Sequence, residues 1–210
     1  MKNIRFLKRA RINKILSVVY DYPLTILEAP MGYGKTTAVK NFIEAENLKS
    51  FWFTFPDLSN AEEAFWNRFT DEIIKIDAKA GLALKSSGLP SDAPQMEKVL
   101  QLLSGAISEK KFLMVLDDYQ LARDIGLKKL IIQLAREELD GLHILLITRD
   151  TADIEFVELL SKGLCCILSR QHLKFTGPEI TDYCRMMLDG ITDEDLEKIY
   201  EYTDCWISLI

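Results

Sequence analysis

The chain has 210 residues and a net charge of −6, and 48% of its residues are hydrophobic. This length suits one α/β domain with a sizeable core and a small appendage. The net negative charge argues against a surface of this chain that binds nucleic acid, because such surfaces are basic. No apolar run approaches the ~18 residues of a membrane helix, and basic residues interrupt the N-terminus where a signal peptide needs an apolar core.

Apolar segments alternate between strand and helix patterns along the chain. Residues 1–20 are predicted to form a helix. Strands are predicted at residues 24–29, 51–55, 112–117, 142–148 and 164–168. Helices are predicted near residues 35–46, 60–78, 95–109, 124–138 and 153–161. This alternation predicts a parallel five-stranded sheet covered by helices on both faces, with a loop over the polar segment 85–94.

A phosphate-binding pattern lies between the first predicted strand and its helix. Residues 29–37 are A-P-M-G-Y-G-K-T-T, which match G-x-x-x-x-G-K-[ST] except that Ala29 replaces the first glycine. Glycines let backbone N–H groups wrap a triphosphate, and the helix N-terminus adds partial positive charge. Lys35 is expected to reach the β- and γ-phosphates, and the Thr36 hydroxyl to hold Mg²⁺. The alternative is a glycine-rich βα turn that binds nothing.

Two adjacent carboxylates, Asp117 and Asp118, end the third predicted strand. The preceding apolar run predicts a strand buried on both faces, and ligands of such sheets bind at the carboxyl ends of the strands. Because two acids are costly to bury there without a cation, Mg²⁺ bound with ATP is expected. Asp117 would orient the Mg²⁺ shell and Asp118 would position or polarise the attacking water. The alternative is a pair that merely caps the following helix.

An arginine, Arg149, follows the fourth predicted strand. At the carboxyl end of a strand it can sense the γ-phosphate or its loss. The alternative is a surface arginine that pairs with Asp150 or Asp153.

The pattern changes after residue 170. A capping box of Thr176 and Glu179 predicts one further helix, and Thr192 with Asp195 is predicted to begin another. We therefore expect the α/β fold of a P-loop NTPase over residues 1–170, followed by the beginning of a small helical subdomain over residues 171–210. That second part looks truncated, because the chain ends within an apolar helical face.

Cysteine spacing predicts neither a zinc site nor a disulfide framework, and a reduced, cytoplasmic setting without a membrane partner is expected. The four cysteines are Cys165, Cys166, Cys184 and Cys205.

Together these motifs resemble the nucleotide-binding domain of STAND-class ATPases, in the branch of large LuxR-type, maltose-activator-like transcriptional regulators. Residues 29–37 are similar to that branch's A-P-A-G-Y-G-K-T-T loop, with Met31 in place of the alanine. Residues 116–121 resemble its L-D-D-Y-H-x motif, and Thr148-Arg149 resembles its arginine sensor. Residues 173–179 are similar to its L-x-F-x-x-x-E motif. A T-x-G-W motif is matched near Trp206, where Cys205 replaces the glycine.

The resemblance implies a molecular switch. It would bind ADP at rest, open and self-associate with ATP, and reset by slow hydrolysis; DNA would be bound only through a C-terminal domain outside this chain. Mg²⁺ would be held by Thr36 and Asp117, and the catalytic residues would be Lys35, Asp118 and Arg149. The implied nucleotide-binding residues are Pro30, Gly32, Tyr33, Gly34, Lys35, Thr36 and Thr37, with Arg11 near the adenine.

Three other functions remain open at this point. A P-loop kinase for a small molecule has a similar length, but such kinases carry an arginine-rich lid, whereas the arginines here are scattered. A non-catalytic interaction module could keep a nucleotide for structural reasons. A constitutive ATPase motor would need fast turnover and an arginine from a neighbouring subunit.

Overall fold

The computed structural model describes residues 7–57, 60–107, 111–152, 155–188 and 190–203. Its centre is one sheet of five parallel strands in the order β2-β3-β4-β1-β5. The strands are β1 (Leu24–Glu28), β2 (Ser50–Thr54), β3 (Phe112–Asp117), β4 (Leu142–Thr148) and β5 (Cys165–Leu168). All five were expected from the sequence within one residue at each end, so the predicted α/β architecture is confirmed.

Ten helices accompany the sheet within the described ranges. The first five are α1 (Ala10–Leu16), α2 (Lys35–Ala45), α3 (Ala61–Ile76), α4 (Ala78–Ser87) and α5 (Ala93–Ile107). The others are α6 (Ile125–Arg136), α7 (Val157–Ser161), α8 (Arg170–Leu173), α9 (Gly177–Met187) and α10 (Asp193–Thr203). Short 3₁₀ turns follow α1 at Ser17–Tyr20 and β3 at Tyr119–Leu121. No helix in the described ranges is long and apolar enough to cross a membrane.

Both faces of the sheet are covered by helices, as predicted. Alternate side chains of each strand point to opposite faces. Leu24 and Ile26 join the core under α3, α5 and α6, whereas Leu27 joins the core under α1 and α2. Burying each large aliphatic side chain contributes about 1.5–3 kcal/mol. The sheet is therefore packed against a hydrophobic core on each face, and the loops at its carboxyl edge begin from strands that both cores hold in place.

One helix prediction and one loop prediction need correction. The helix expected over 60–78 stops at Ile76, because Asp77 is extended and its carboxylate caps a new helix by accepting from the Ala80 N–H at 2.9 Å. That helix, α4, runs to Ser87, so the loop expected over 85–94 is confined to residues 88–92. Its polar C-terminal turn is solvent-exposed, which is why composition alone suggested a loop.

The N-terminal and seventh helices are also shorter than expected. In place of a helix over 1–20, α1 begins at Ala10, since the Arg9 backbone leaves the helical region and its carbonyl caps the helix. Helix α7 begins at Val157 rather than at residue 153. Residues 1–6, 108–109 and 153–154 of the predicted helices lie outside the described ranges, as does the motif at Trp206.

A glycine at the contact of α3 with α4 leads to a stability prediction. A Cβ on Gly81 would lie 2.4 Å from the backbone nitrogen of Ile74. Because backbone cannot move aside cheaply, Gly81→Ala should lower the free energy of unfolding by about 3 kcal/mol. Gly105, within α5, is the matched control: an added Cβ there would meet no described atom within 4 Å. Gly105→Ala should raise the free energy of unfolding by up to about 1 kcal/mol.

Urea unfolding of the two variants and the parent measures both effects. Equal changes for the two substitutions would contradict the close α3–α4 packing.

The helices α9 and α10 pack on each other around a small core of their own, formed by Ile180, Cys184 and Leu196. The hydroxyl of Tyr200 donates to the carbonyl of Gly177 and lies 2.9 Å from the Thr181 hydroxyl. The predicted capping box of Thr176 and Glu179 is present before α9, and Thr192 and Asp195 make the same pair of reciprocal hydrogen bonds before α10.

Candidate functional site

The loop between β1 and α2 has the backbone of a phosphate-binding loop. Gly32 has φ 87° and Gly34 has φ 71°, both in the left-handed region that favours glycine. Ala29 needs no such conformation. It extends the strand pairing by donating its N–H to the Thr148 carbonyl at 3.3 Å, and its methyl group is buried in the core. An alanine in place of the first glycine is therefore compatible with the loop.

Lys35 occupies the first turn of α2, directly after the loop. Its ammonium donates to the carbonyl of Ala29 at 2.5 Å and to that of Pro30 at 3.0 Å. Burial lowers the pKa of Lys35, and the nearby Arg149 guanidinium lowers it further. A cation held at a helix N-terminus beside a second cation creates a positive site suited to an anionic ligand.

Asp117 and Thr36 meet across the cleft from different elements. The Thr36 hydroxyl lies 3.1 Å from Oδ2 of Asp117, and the Asp118 N–H donates to Oδ1 at 3.0 Å. Asp117 is 5% exposed, and burial raises its pKa, although these two hydrogen bonds oppose the rise. A buried carboxylate beside a hydroxyl is the hard oxygen donor set that Mg²⁺ prefers, usually with phosphate oxygens and water completing its shell. The residues present therefore fit a magnesium-bound nucleotide.

Asp118 and Arg149 are brought together by the strand order. The β3–β4 register aligns Leu116 with Leu146, so the residues just beyond these two strands lie side by side. Nη2 of Arg149 lies 3.6 Å from Oδ1 of Asp118. The alternative prediction was a surface ion pair of Arg149 with Asp150 or Asp153. Arg149 pairs with Asp118 instead of Asp150, and Asp153 lies outside the described ranges.

A cleft of about 450 Å³ collects these groups at the carboxyl edge of the sheet. Its lining residues are Met31, Gly32, Gly34, Lys35, Thr36, Thr37, Asp117, Asp118 and Arg149. The Pro30 carbonyl accepts a hydrogen bond from Lys35, and the Tyr33 side chain packs against the core under α1 and α2. Most residues predicted from separate motifs thus line one cavity.

Arg11, expected near the adenine, has a different set of contacts from the cleft residues. Its guanidinium binds the carboxylate of Glu179 at 3.1 Å and the carbonyls of His172 and Lys174 at 3.0 and 2.7 Å. Arg9 binds the same carboxylate at 2.9 Å and lies 3.8 Å from the centre of the Phe175 ring. We call these residues, Arg9, Arg11 and Glu179, the arginine clasp. It connects the first turn of α1 to α9. The contact of Arg11 with the adenine stays a prediction.

The clasp gives a pH-dependent prediction. Burial alone would raise the pKa of Glu179, but hydrogen bonds from Arg9 and Arg11 outweigh it and lower the pKa to about 2. A lowered carboxyl pKa stabilises the fold above the unfolded value of about 4.3, and the effect is lost as the pH falls towards 2. Because Glu179→Gln leaves two arginines without their counter-charge, it should lower the free energy of unfolding by about 2 kcal/mol at pH 7. Below about pH 4, where Glu179 of the parent begins to lose its charge, the difference in free energy of unfolding between variant and parent should become smaller.

Thermal unfolding between pH 7 and pH 2.5 tests this prediction. Glu197→Gln, an exposed change on α10, is the control and should leave stability unchanged at every pH. A Glu179→Gln effect independent of pH would contradict an ionic clasp.

One residue of the site was missed by the sequence-based reasoning. Gln120 donates its amide N–H to Oδ1 of Asp118 at 2.8 Å and accepts from the backbone N–H of Arg149 at 3.1 Å. Its sequence signal was its place in the motif of residues 116–121, where it occupies the histidine position of the L-D-D-Y-H-x pattern.

The chain is similar to known proteins in sequence and in fold. No protein-family model matches the chain. The HTH-type transcriptional regulator MalT of Vibrio cholerae is 23% identical over 206 residues, which are 95% of this chain and 22% of that protein. MalT of Yersinia pestis is similar, with 22% identity over 208 residues, 96% of this chain and 23% of that protein. The chain thus spans less than a quarter of the length of these curated relatives.

One solved structure of similar fold is that of a Signal Transduction ATPase with Numerous Domains (STAND) protein from Pyrococcus horikoshii, which has a tetratricopeptide repeat sensor. It has a TM-score of 0.69 at 13% identity, covering 99% of this chain and 29% of that one. The chain is thus similar to the MalT proteins over nearly its whole length, and its fold is that of a P-loop ATPase domain.

Proposed function

We propose that the chain is an ATP- and ADP-binding switch domain of a cytoplasmic, signal-responsive transcriptional regulator, and that it hydrolyses ATP slowly. The observation that carries the proposal is the convergence of Lys35, Thr36, Asp117, Asp118 and Arg149 on one cleft. The relatives named as HTH-type transcriptional regulators support the regulatory context.

Each residue of the cleft has a chemical role in this proposal. The backbone N–H groups of the loop and the ammonium of Lys35 would hold the β- and γ-phosphates. Thr36 and Asp117 would hold Mg²⁺, which neutralises phosphate charge when it is bound. Asp118 would orient a water and accept its proton on a carboxylate oxygen.

Arg149 would report the presence of the γ-phosphate. Its guanidinium lies 3.6 Å from the Asp118 carboxylate, with nearly half of its side-chain surface exposed. A γ-phosphate in the cleft would compete with that carboxylate for the guanidinium, since arginine binds phosphate strongly. The position of Arg149 would then differ between the ATP and ADP states, which is what a switch requires.

We further propose that residues 1–170 form the nucleotide-binding domain and that residues 171–210 begin a helical subdomain. The separate small core of α9 and α10 supports this division. The arginine clasp would then be the joint between the two parts. Self-association in the ATP state, and DNA binding through a domain outside this chain, are part of the same proposal.

A turnover experiment with γ-labelled ATP and Mg²⁺ tests the proposal. We expect slow release of inorganic phosphate, ADP retained on the protein, and no dependence on added acceptors. Phosphate transfer that depends on a small-molecule acceptor would instead support a kinase. Tight binding without phosphate release would support a non-catalytic module, and fast turnover that rises with protein concentration would support a motor.

A further inference from the structure

The side-chain amide of Gln120 joins the end of β3 to the end of β4. Its Nε2 lies 2.8 Å from Oδ1 of Asp118, and its Oε1 lies 3.1 Å from the backbone nitrogen of Arg149. One planar group thus contacts both the proposed catalytic carboxylate and the backbone of the proposed phosphate sensor. Gln120 is not among the residues that line the cleft.

The chemistry of the two partners allows the amide only one orientation. The Arg149 backbone N–H can only donate, and an ionised Asp118 carboxylate can only accept. The amide oxygen must therefore face Arg149 and the amide nitrogen must face Asp118. The Thr148 hydroxyl lies 3.3 Å from the same amide oxygen, but its single proton makes the shorter 2.6 Å bond to the Asp150 carbonyl.

The backbone around Gln120 holds the amide in this position. Gln120 lies in the 3₁₀ turn after β3, and the preceding Tyr119 is 2% exposed and packs edge-on against Phe55, with ring centres 5.8 Å apart. Asp118 itself has φ 51° and ψ 41°, a left-handed conformation that aspartate tolerates better than most residues. The buried tyrosine and the strained aspartate that precede Gln120 leave the turn little freedom.

The contacts of Asp118 divide unequally between its two oxygens. Oδ1 accepts from Gln120 and lies 3.6 Å from Arg149. Among the described residues, Oδ2 has no hydrogen-bond partner. A carboxylate held through one oxygen presents the other in a fixed direction, which is the arrangement that proton acceptance from a water needs.

We infer that Gln120 is a positioning residue, which holds the Asp118 carboxylate and the Arg149 backbone in one arrangement so that hydrolysis and γ-phosphate sensing are coupled. This inference rests on the proposed function. Gln120 touches no phosphate in it and acts only through Asp118 and Arg149.

Three substitutions of Gln120 test its hydrogen bond to Asp118 and its hydrogen bond to Arg149. Gln120→Leu removes both hydrogen bonds and keeps similar bulk. Gln120→Glu keeps the acceptor for Arg149 but sets a second carboxylate against Asp118. Gln120→His can restore both bonds, because a neutral imidazole carries one donor and one acceptor. The control is Gln101→Leu, an exposed glutamine on α5 away from the cleft.

Turnover and MgADP affinity are measured for the parent and all four variants. We expect Gln120→Leu to lower kcat at least tenfold, with MgADP affinity within about threefold of the parent. Gln120→His should recover most of that loss above pH 7.5, and Gln101→Leu should match the parent. If Gln120→Leu turns over like the parent, or if histidine gives no recovery, the inference is overturned.

Gln120→Glu gives a readout that a purely structural role would not change, because glutamate keeps the shape of glutamine. The charged groups facing Asp118 are Lys35 from α2, Asp117 from β3 and Arg149 after β4. A glutamate at position 120 would lose the amide donor and place a second carboxylate against Asp118. The kcat of Gln120→Glu should therefore fall as it does in Gln120→Leu, and a kcat equal to that of the parent would contradict the contact with Asp118.

The same measurements separate failure of the inference from failure of the proposed function. A parent that binds neither MgATP nor MgADP overturns both. If the parent binds both but releases no phosphate, the hydrolytic function fails, and the ratio of ATP to ADP affinity then decides the inference. Gln120→Leu should bring that ratio closer to one by at least threefold, and an unchanged ratio would overturn the inference.

Discussion

Lys35→Ala is expected to weaken the binding of MgATP and MgADP by about 10- to 100-fold. The ammonium lies at the N-terminus of α2 and lines the cleft, where it donates to the loop carbonyls of Ala29 and Pro30. A charge-assisted hydrogen bond to phosphate contributes about 1.5–3 kcal/mol, which corresponds to that range of affinity. Burial lowers the pKa of Lys35 and the carboxylates of Asp117 and Asp118 oppose that change, so parent and variant are compared at one fixed pH.

A fluorescent nucleotide analogue titrated into parent and variant measures this loss. Lys40→Ala, an exposed lysine further along the same helix, is the matched control and should bind as the parent does. Equal affinity of Lys35→Ala and the parent would rule out the loop as the phosphate site.

Asp118→Asn is expected to spare nucleotide binding but to slow ATP hydrolysis by about 10²- to 10⁴-fold, the contribution of a positioned general base. Asparagine has nearly the same shape and also tolerates the left-handed backbone that Asp118 adopts, so the fold should persist. What is lost is the negative charge that can accept a proton and attract Arg149.

Single-turnover rates with saturating MgATP measure the chemical step apart from binding. The control is Asp140→Asn, an exposed aspartate before β4, at the opposite edge of the sheet from the cleft. If Asp118→Asn and the parent hydrolyse ATP at the same rate, Asp118 is not the catalytic carboxylate.

The sheet could be predicted from the sequence because its signals are local. Each strand is a short apolar run, and the pattern of residues 29–37 marks the turn from β1 into α2. The acidic pair was recognisable for the same reason, since it directly ends an apolar run. Such signals depend only on neighbouring residues and on the alternation of strand and helix.

The arrangement of the site around Arg149 depends on strand order, which the sequence does not state. β4 lies between β1 and β3, and this insertion places Arg149 beside Asp118 and near Lys35. Gln120 was missed because its importance arises from a contact across two strands. Its place within the motif of residues 116–121 gave no information about that contact.

Other missed features also involve residues distant in the sequence. The arginine clasp joins Arg9 and Arg11 to Glu179, residues separated by 170 and 168 positions. Helix α4 was missed because it rests on close packing at Gly81 against α3, rather than on a strong amphipathic pattern. In each case tertiary contacts decide what local propensity leaves open.

In the proposed function, one cleft binds the phosphates of ATP and ADP together with Mg²⁺. Calorimetric titration of this chain with each nucleotide, with and without Mg²⁺, tests it most directly. We predict one site per chain for both nucleotides, with ATP affinity that falls when Mg²⁺ is removed or when Thr36 is replaced by valine. Binding of neither nucleotide, or binding that is indifferent both to Mg²⁺ and to Thr36→Val, would contradict the account.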